Sequence, residues 1–413
     1  MAIGSTGIAL EEPIPAPRGE PAQPASSPGE WIRKNLFNSW YNTLLTVLFT
    51  ALLGWVAFKA GRFLFLTARW EIIRVNLTDA MVGGFPRDQL SRIWVGAWIA
   101  AAAAGISAGA RQRRGAEVRL WRAVRRAAPL LLLAVVLLAL ARTATPLALT
   151  LIAAVAAASG WLLGRRLPGR VARRLPLVWI VGAAGFYAAL TAFGGVGWDE
   201  WGGLLLTLFL AVGGIVLSFP VGVLLALGRR SRLPAVRVVC VAYIEFVRGV
   251  PLIAVLFIGA SALGFLFPLG FNKPSEVTRA LIALIAFTAA YLAEVVRGGL
   301  QSVPRGQVEA AQAIGLSPLK ATLLIVLPQA LRNVIPAIVG QFISLFKDTA
   351  LVAIIGLADL LHVARTMNLQ GAFLGQGLYA ETLVFASFIY WAFCYSMSRA
   401  SQRLERRLGV GER

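Results

Sequence analysis

Glu309-Ala310-Ala311-Gln312-Ala313-Ile314-Gly315-Leu316-Ser317-Pro318, followed downstream by Ile325-Val326-Leu327-Pro328, is a polar, small-residue-rich stretch in a chain that otherwise consists largely of apolar runs. The residues up to Ile314 are mostly good helix formers, and Gly315 suits the left-handed position that ends a helix. Ser317-Pro318 is typical of the N-cap and first turn of a second helix, which Leu327-Pro328 is expected to end. The stretch therefore predicts two short helices joined by a glycine break at a membrane surface; the alternative is an ordinary amphipathic loop.

The composition is that of a polytopic membrane protein. Of 413 residues, 58% are hydrophobic and 14% are charged. The net charge of +21 does not indicate nucleic-acid binding, because the arginines lie in short loops between apolar runs rather than along one soluble face. Cys240 and Cys394 lie in or beside apolar runs and predict neither a disulfide framework nor a metal site. The lone histidine, His362, has no candidate co-ligands nearby in the sequence.

The apolar runs predict an all-α fold with about ten transmembrane helices. Their approximate positions are 43–66, 93–110, 127–144, 146–164, 175–193, 203–227, 239–267, 279–299, 334–357 and 380–399. The third and fourth are separated only by Thr145-Pro146, so they form either two spans or a re-entrant pair. Residues 1–40 are rich in Pro, Ala, Gly and Glu, which predicts a disordered tail without a cleavable signal peptide.

The basic residues indicate the orientation of the chain. Arginines concentrate in alternate loops and at the C-terminal end, whereas most of the remaining loops are poor in them. By the positive-inside rule, both termini and the Glu309 stretch lie in the cytoplasm. Residues 67–92 are assigned to the outside although they contain arginines. Apolar residues recur there at helical spacing: Trp70, Ile73, Leu77 and Met81. This spacing predicts an interfacial helix.

The spacing of the Glu309 stretch is Glu-Ala-Ala, three residues, Gly, nine residues, Ile, one residue, Leu-Pro. It resembles, at every position, the cytoplasmic coupling loop of the membrane subunits of bacterial ABC importers. Residues 203–402 are similar to the five-helix core of permeases for polar amino acids, through the stretches 245–252, 291–300 and 347–351. The long N-terminal extension resembles the M-type permease of the general L-amino acid importer and its glutamate/glutamine/aspartate relative. Thr349 departs mildly from the family pattern, which often has Ser there.

This resemblance implies a domain organisation. Residues 1–40 form a cytoplasmic tail, 41–198 a transmembrane extension of about five spans, and 403–413 a second cytoplasmic tail. Residues 199–402 form a type I importer permease core with its cytoplasmic coupling loop at 301–333. The residues expected to couple to the ATPase are Glu309, Ala310, Ala311, Gly315, Ser317, Pro318, Ile325, Leu327 and Pro328.

The resemblance also implies the partners: an ABC ATPase dimer, a second homologous permease that completes a heterodimer, a periplasmic substrate-binding protein and the bacterial inner membrane. The chain has no Gly-rich loop ending in Gly-Lys-Ser or Gly-Lys-Thr. ATP is therefore expected to bind to the partner. No cofactor, metal ligand or catalytic residue is expected in this chain.

Two charged pairs repeat the pattern Glu, any residue, Val, Arg, Gly: Glu245 with Arg248, and Glu294 with Arg297. The spacing places each pair on one face of its helix, near the predicted cytoplasmic end. Because charges within membrane helices are costly, the pairs predict a charged collar that gates the inner mouth. The alternative is that they only anchor the helix ends by extending towards water.

A second polar group lies deeper, in the ninth predicted span: Gln341, Ser344, Lys347, Asp348 and Thr349. Together these residues offer donors for a carboxylate and acceptors for an ammonium group, as a zwitterionic amino acid requires. Gln341, Ser344 and Asp348 share one helix face, which is predicted to line the translocation path. The alternative is a structural helix that packs against the partner permease.

Two other classes of protein compete with the importer. A proton-coupled secondary transporter would use buried carboxylates such as Glu294 and Asp348, but it would need no Glu-Ala-Ala loop. An intramembrane enzyme is disfavoured, because the spans lack a His/Asp/Glu cluster with the spacing of a metal or nucleophile site.

Overall fold

The structure is a computed structural model that describes residues 27–113, 120–141, 143–168, 174–264 and 273–409. Within these ranges the chain is helical and contains no β-strand. The helices are α1 (Pro28–Leu36), α2 (Trp40–Arg62), α3 (Glu71–Val82), α4 (Leu90–Arg113), α5 (Leu120–Leu140), α6 (Thr145–Arg166), α7 (Leu175–Thr191), α8 (Gly203–Arg229), α9 (Pro234–Gly249), α10 (Leu252–Ala262), α11 (Glu276–Gln301), α12 (Arg305–Ala313), α13 (Pro318–Ala321), α14 (Leu327–Asn333), α15 (Ile335–Asp348), α16 (Leu360–Thr366) and α17 (Tyr379–Leu408). The chain divides into two compact units, Met1–Ala68 and Arg69–Arg413.

The first unit contains α1 and α2. The sequence predicts disorder up to residue 40, and this is wrong for the segment that forms α1. Ser27 and Glu30 form a reciprocal capping box at its start, and Pro28 occupies its first turn. Residues 1–26 lie outside the described part of the chain. Helix α2 has no buried residue and continues as a π-helical turn through Phe63–Thr67.

Six helical segments of the described chain are long and apolar enough to cross a membrane: 40–67, 87–112, 145–166, 203–229, 276–301 and 335–355. If the bent pair of helices α9 and α10 is counted as one span, the number is as high as seven. The predicted third and fifth spans correspond to shorter apolar helical segments, Ala127–Leu140 and Leu175–Thr191. The fold class is confirmed, but the count of ten spans is not.

The predicted seventh span, 239–267, is not one straight helix. The chain bends by 111° between α9 and α10. Pro251 lies at the break, and Val250 before it is extended, with φ of −103° and ψ of 136°. A proline disfavours the helical conformation of the preceding residue and has no N–H to donate, so the helix ends there. The last residues of this predicted span, 265–267, lie outside the described ranges.

The N-terminal extension of the second unit packs through glycine. A Cβ atom at Gly105 or Gly109 of α4 would lie 2.0 or 2.1 Å from a carbonyl oxygen of α6. The relation is reciprocal, because Cβ atoms at Gly160 and Gly164 would lie 2.3 and 2.2 Å from carbonyl oxygens of α4. Glycine pairs spaced in this way allow two backbones to touch within a membrane.

Residues 67–92 contain the predicted helix, α3. Its Ile72 and Ile73 are fully buried in a cluster with residues of α16 and α17, so this helix packs against the core. One arginine of this segment has a structural role: the Arg92 guanidinium donates to the carbonyl oxygens of Ala189, Ala192 and Phe193 at the end of α7, at 3.2, 2.8 and 3.0 Å. A cation at a helix C-terminus is stabilising, which explains an arginine on the side where few are expected.

The core is built around α8 and α11, which pack side by side, with α15 beside them and α17 packed on α15. At one end, the Gly203 amide donates to the Ala358 carbonyl oxygen at 2.8 Å. At the opposite end, Arg230 donates to the Leu300 carbonyl oxygen at 3.5 Å, and Asn333 donates to Ser302 at 2.9 Å. The ends of α8 and α11 therefore lie together with the segment that follows α11.

Candidate functional site

Residues 301–333, named here the coupling segment, form two helical arms around a glycine. The first arm is α12, and Gly315 follows it in the left-handed region with φ of 81°. The Leu316 amide donates to the Ala311 carbonyl oxygen at 3.1 Å, which closes the end of this arm. Ser317 caps the second arm by accepting from the Lys320 amide at 3.5 Å. The glycine break and the N-cap thus lie where the sequence places them.

Leu327-Pro328 does not end the second arm, contrary to the prediction. Helix α13 continues through a π-helical turn, Thr322–Val326, directly into α14. In this turn the Leu327 amide donates to the Thr322 carbonyl oxygen, five residues back. The π-turn widens the backbone just before Pro328, where a proline would otherwise clash with the preceding turn, and so the helix continues to Asn333.

The second arm is packed firmly onto α11. Val326 and Ala330 are buried in a cluster with Val296 and Leu300 of that helix. A Cβ atom at Gly299 would lie 2.6 Å from the Ala330 carbonyl oxygen, so glycine is required for this approach. Since packed interiors resist deformation, α14 and the end of α11 are expected to move together.

The opposite surface of the coupling segment has no cover within the described chain. Glu309 and Ala310 are exposed, and three large apolar side chains are 63–75% exposed: Ile314, Leu319 and Leu324. Exposed apolar side chains of this size can mark a surface that contacts another protein or the membrane. Ala311 of the same segment, in contrast, is buried.

The four charges predicted as two local pairs instead form one network with Arg229, and the five residues span three helices. Glu294 is its centre: the Arg297 Nε donates to it at 2.9 Å, and the guanidinium groups of Arg229 and Arg248 lie 3.3 and 3.6 Å away. Glu245 pairs with Arg229 at 3.0 Å rather than with Arg248. The local Glu245–Arg248 pairing is therefore wrong, while the local contact of Glu294 with Arg297 is present.

Arg229 is the member of this network that the sequence analysis does not identify. It is the last residue of α8, and no spacing rule relates it to Glu245 or Glu294. Its place at the end of an apolar span is a weak signal, because many arginines in this chain occupy such positions. The network joins α8, α9 and α11 at the end where the coupling segment lies.

The structure divides the predicted path residues of α15 into two groups. Gln341, Ser344 and Asp348 are half-buried and Lys347 is exposed, and Lys347 and Asp348 form no ion pair with any other described residue. Thr349 is fully buried, and its hydroxyl donates to the Phe346 carbonyl oxygen at 2.7 Å. The first four residues thus remain available to a ligand or a partner, whereas Thr349 contributes to the core.

A buried polar cluster near Thr349 is missed by the sequence analysis. Asp359 caps α16 by accepting from the amides of Leu361 and His362 at 3.0 Å, and it also accepts from the Tyr390 hydroxyl at 3.3 Å. Burial raises the pKa of the Asp359 carboxyl group, and these hydrogen bonds oppose that shift. An aspartate just before an apolar helix is an N-cap signal that could have been recognised.

Comparison with known proteins places the chain in a family. Residues 218–410 match the family described as binding-protein-dependent transport system inner membrane component. The chain is 37% identical to the inner membrane amino-acid ABC transporter permease protein YhdY of Escherichia coli (strain K12), over 95% of this chain and 97% of that one. It is 36% identical to the glutamate/glutamine/aspartate/asparagine transport system permease protein BztC of Rhodobacter capsulatus, over 95% and 96%.

Among solved structures, an amino acid ABC transporter with histidines aligns with a TM-score of 0.44 and 31% identity, covering 49% of this chain and 91% of that one. The relatives show that the chain belongs to the family of binding-protein-dependent inner membrane transport components. It is an amino-acid ABC transporter permease of the inner membrane, and it is a transport subunit rather than an enzyme. Permeases of this family work with an ATPase and a substrate-binding protein.

Proposed function

We propose that this chain is the permease subunit of an ATP-driven importer of polar L-amino acids, with glutamate, glutamine and aspartate as the first candidates. The observation that carries the proposal is the two-sided coupling segment. One side is packed on α11 through Gly299 and Ala330, and the other presents Glu309 and bare apolar side chains. Such an element can receive force from a partner and pass it to the core. The substrate class follows the name of the Rhodobacter relative.

The proposed assembly contains this chain, a second homologous permease, an ATPase dimer that binds ATP, and a periplasmic binding protein. Both termini and the coupling segment face the cytoplasm. This orientation is supported by the arginine-rich loops and by the position of the coupling segment beside the C-terminal end of α17.

The mechanism follows from the contacts of α11. When the ATPase dimer closes, it moves the coupling segment, and the packed Gly299–Ala330 contact carries that motion into α11. The same helix holds Glu294, which is bonded to arginines of α8 and α9. A shift of α11 therefore changes these bonds, and the network acts as the gate at the inner mouth. ATP binding favours one state only if the segment contacts the ATPase differently in the two states.

Reconstitution tests the proposed function directly. The four-component complex in proteoliposomes is expected to import amino acid only with ATP inside the compartment that the coupling segment faces, and vanadate is expected to stop it. Ionophores that collapse the proton gradient are expected to have no effect. Uptake that resists vanadate and is lost with an ionophore would instead establish a proton-coupled transporter.

The polar face of α15 is proposed to contact the substrate. Replacing Asp348 with alanine removes the acceptor for the ammonium group, and replacing Gln341 removes a donor for the carboxylate. Each change is expected to raise the KM for uptake by about tenfold, since a charged hydrogen bond contributes roughly 1.5–3 kcal/mol. Kinetics of uptake across a concentration series measure this effect. Gly340→Ala, at an exposed position of the same helix, is the control. Unchanged KM values in both polar variants would remove this face from the path.

A further inference from the structure

The end of the last helix meets the coupling segment through a polar contact. Arg332 of α14 donates from its guanidinium group to the carbonyl oxygen of Leu408, the last residue of α17. Gly409 follows in the left-handed region with φ of 62°, which ends the helix. A guanidinium group at this position is stabilised both by the hydrogen bond and by the negative end of the helix dipole.

This contact lies beside a cavity rather than in a packed core. The cavity has a volume of 590 Å³. It is lined by Ser302, Val303, Pro304, Gln307, Gln329, Arg332, Asn333, Val334, Leu408 and Gly409. The contact between Gly299 and Ala330 is different, because the two backbones lie too close together there for a side chain at position 299. A hydrogen bond next to open space can form or break without repacking its surroundings, so α17 can change its link to the coupling segment while α11 stays attached.

The middle of α17 reaches the other functional region. The Tyr390 and Phe393 rings pack on the Phe346 ring of α15, with centroids 5.3 and 5.5 Å apart. Phe346 directly precedes Lys347 and Asp348, and the Tyr390 hydroxyl donates to Asp359. With 30 residues, α17 is a continuous helix about 45 Å long. It joins the coupling segment at one end to the buried side of α15, the helix that carries the polar face.

We propose that Arg332 is a positioning residue that transmits movement of the coupling segment to α17, and through α17 to the polar face of α15. This inference rests on the proposed function and adds a second mechanical route to the one through α11. Loss of the Arg332 guanidinium group disconnects α17 while the surface that meets the ATPase stays intact. The complex then hydrolyses ATP but moves less amino acid for each ATP.

The test compares Arg332→Ala with Arg237→Ala in the full reconstituted complex. Arg237 lies in α9, outside the coupling segment, is exposed and makes no side-chain hydrogen bond within the described chain. With a radiolabelled mixture of polar L-amino acids, Arg332→Ala is expected to lower the amino acid imported per ATP by about threefold to tenfold. Arg332→Lys, which keeps a cationic donor, is expected to recover part of it, and Arg237→Ala to match the unmodified complex.

A distance measurement separates transmission from simple destabilisation. Spin labels at the exposed positions Gln301 and Leu404, in a background without Cys240 and Cys394, report on α11 and α17. With Arg332 present, the distance is expected to shift between the nucleotide-free and vanadate-trapped complexes as one narrow distribution. With Arg332→Gln it is expected to broaden. Unchanged coupling and unchanged distances in the variants would overturn the inference. Import by the unmodified complex without ATP consumption would contradict the proposed function itself.

Discussion

Replacing Gly315 with valine is expected to lower ATP-driven uptake by about tenfold while leaving the membrane core folded. Gly315 has a φ of 81°, in the left-handed region that a β-branched residue enters only with strain. A strain of roughly 1–2 kcal/mol lowers the population of the bent segment by about tenfold. Because the bend sets the angle between Ile314 and Leu319, the surface offered to the ATPase is lost with it. Co-purification of the ATPase and uptake in proteoliposomes are the measurements.

Gly306 provides the control for this experiment. It lies in the first arm of the same segment, has no φ in the left-handed region, and would meet nothing within 4 Å if it carried a Cβ atom. Gly306→Ala is expected to leave ATPase binding and uptake unchanged, and to stabilise α12 slightly, because alanine favours a helix more than glycine does. If Gly315→Val also retained bound ATPase and full uptake, the bend would have no role in coupling.

The local structure of the coupling segment could be read from the sequence because its signals are local. A left-handed glycine and a serine N-cap act on their own backbone within a few residues, and Gly315 and Ser317 lie as predicted. The continuation beyond Pro328 could not be read in this way. A proline inside a helical pattern ends a helix in most contexts, and a π-turn that accommodates it has no sequence signature.

The contacts between helices could be predicted less well from the sequence. Spacing along one helix predicts which residues share a face, and it found the contact of Glu294 with Arg297. It carries no information on which neighbouring helix lies opposite, and therefore Arg229 and the cross-helix contact of Arg248 were missed. Thr349 shows the same limit. It follows Asp348 directly in the sequence, and this position does not indicate that Thr349 is buried in the core.

Reversing the charge of Arg297 is expected to reduce uptake strongly, and restoring the local pair is not expected to recover it. Arg297→Glu removes a charged hydrogen bond to Glu294 and places two carboxylates together, which costs about 1–3 kcal/mol with partial screening by water. Uptake is expected to fall by about tenfold or more, because the network joins three helices at the inner mouth. Initial uptake rates at matched protein levels measure the effect.

The double variant Glu294→Arg with Arg297→Glu distinguishes a network from an isolated pair. The swap restores opposite charges three residues apart, yet the new arginine faces Arg229 and Arg248, which lie 3.3 and 3.6 Å from the present carboxylate. Repulsion among three guanidinium groups is expected to keep uptake by the double variant as low as that of Arg297→Glu. Arg237→Glu reverses an exposed charge on α9 and controls for loss of positive charge at this end. Full activity in the double variant would mean that the two residues only anchor a helix end, and the gate assigned to the network would have to lie elsewhere.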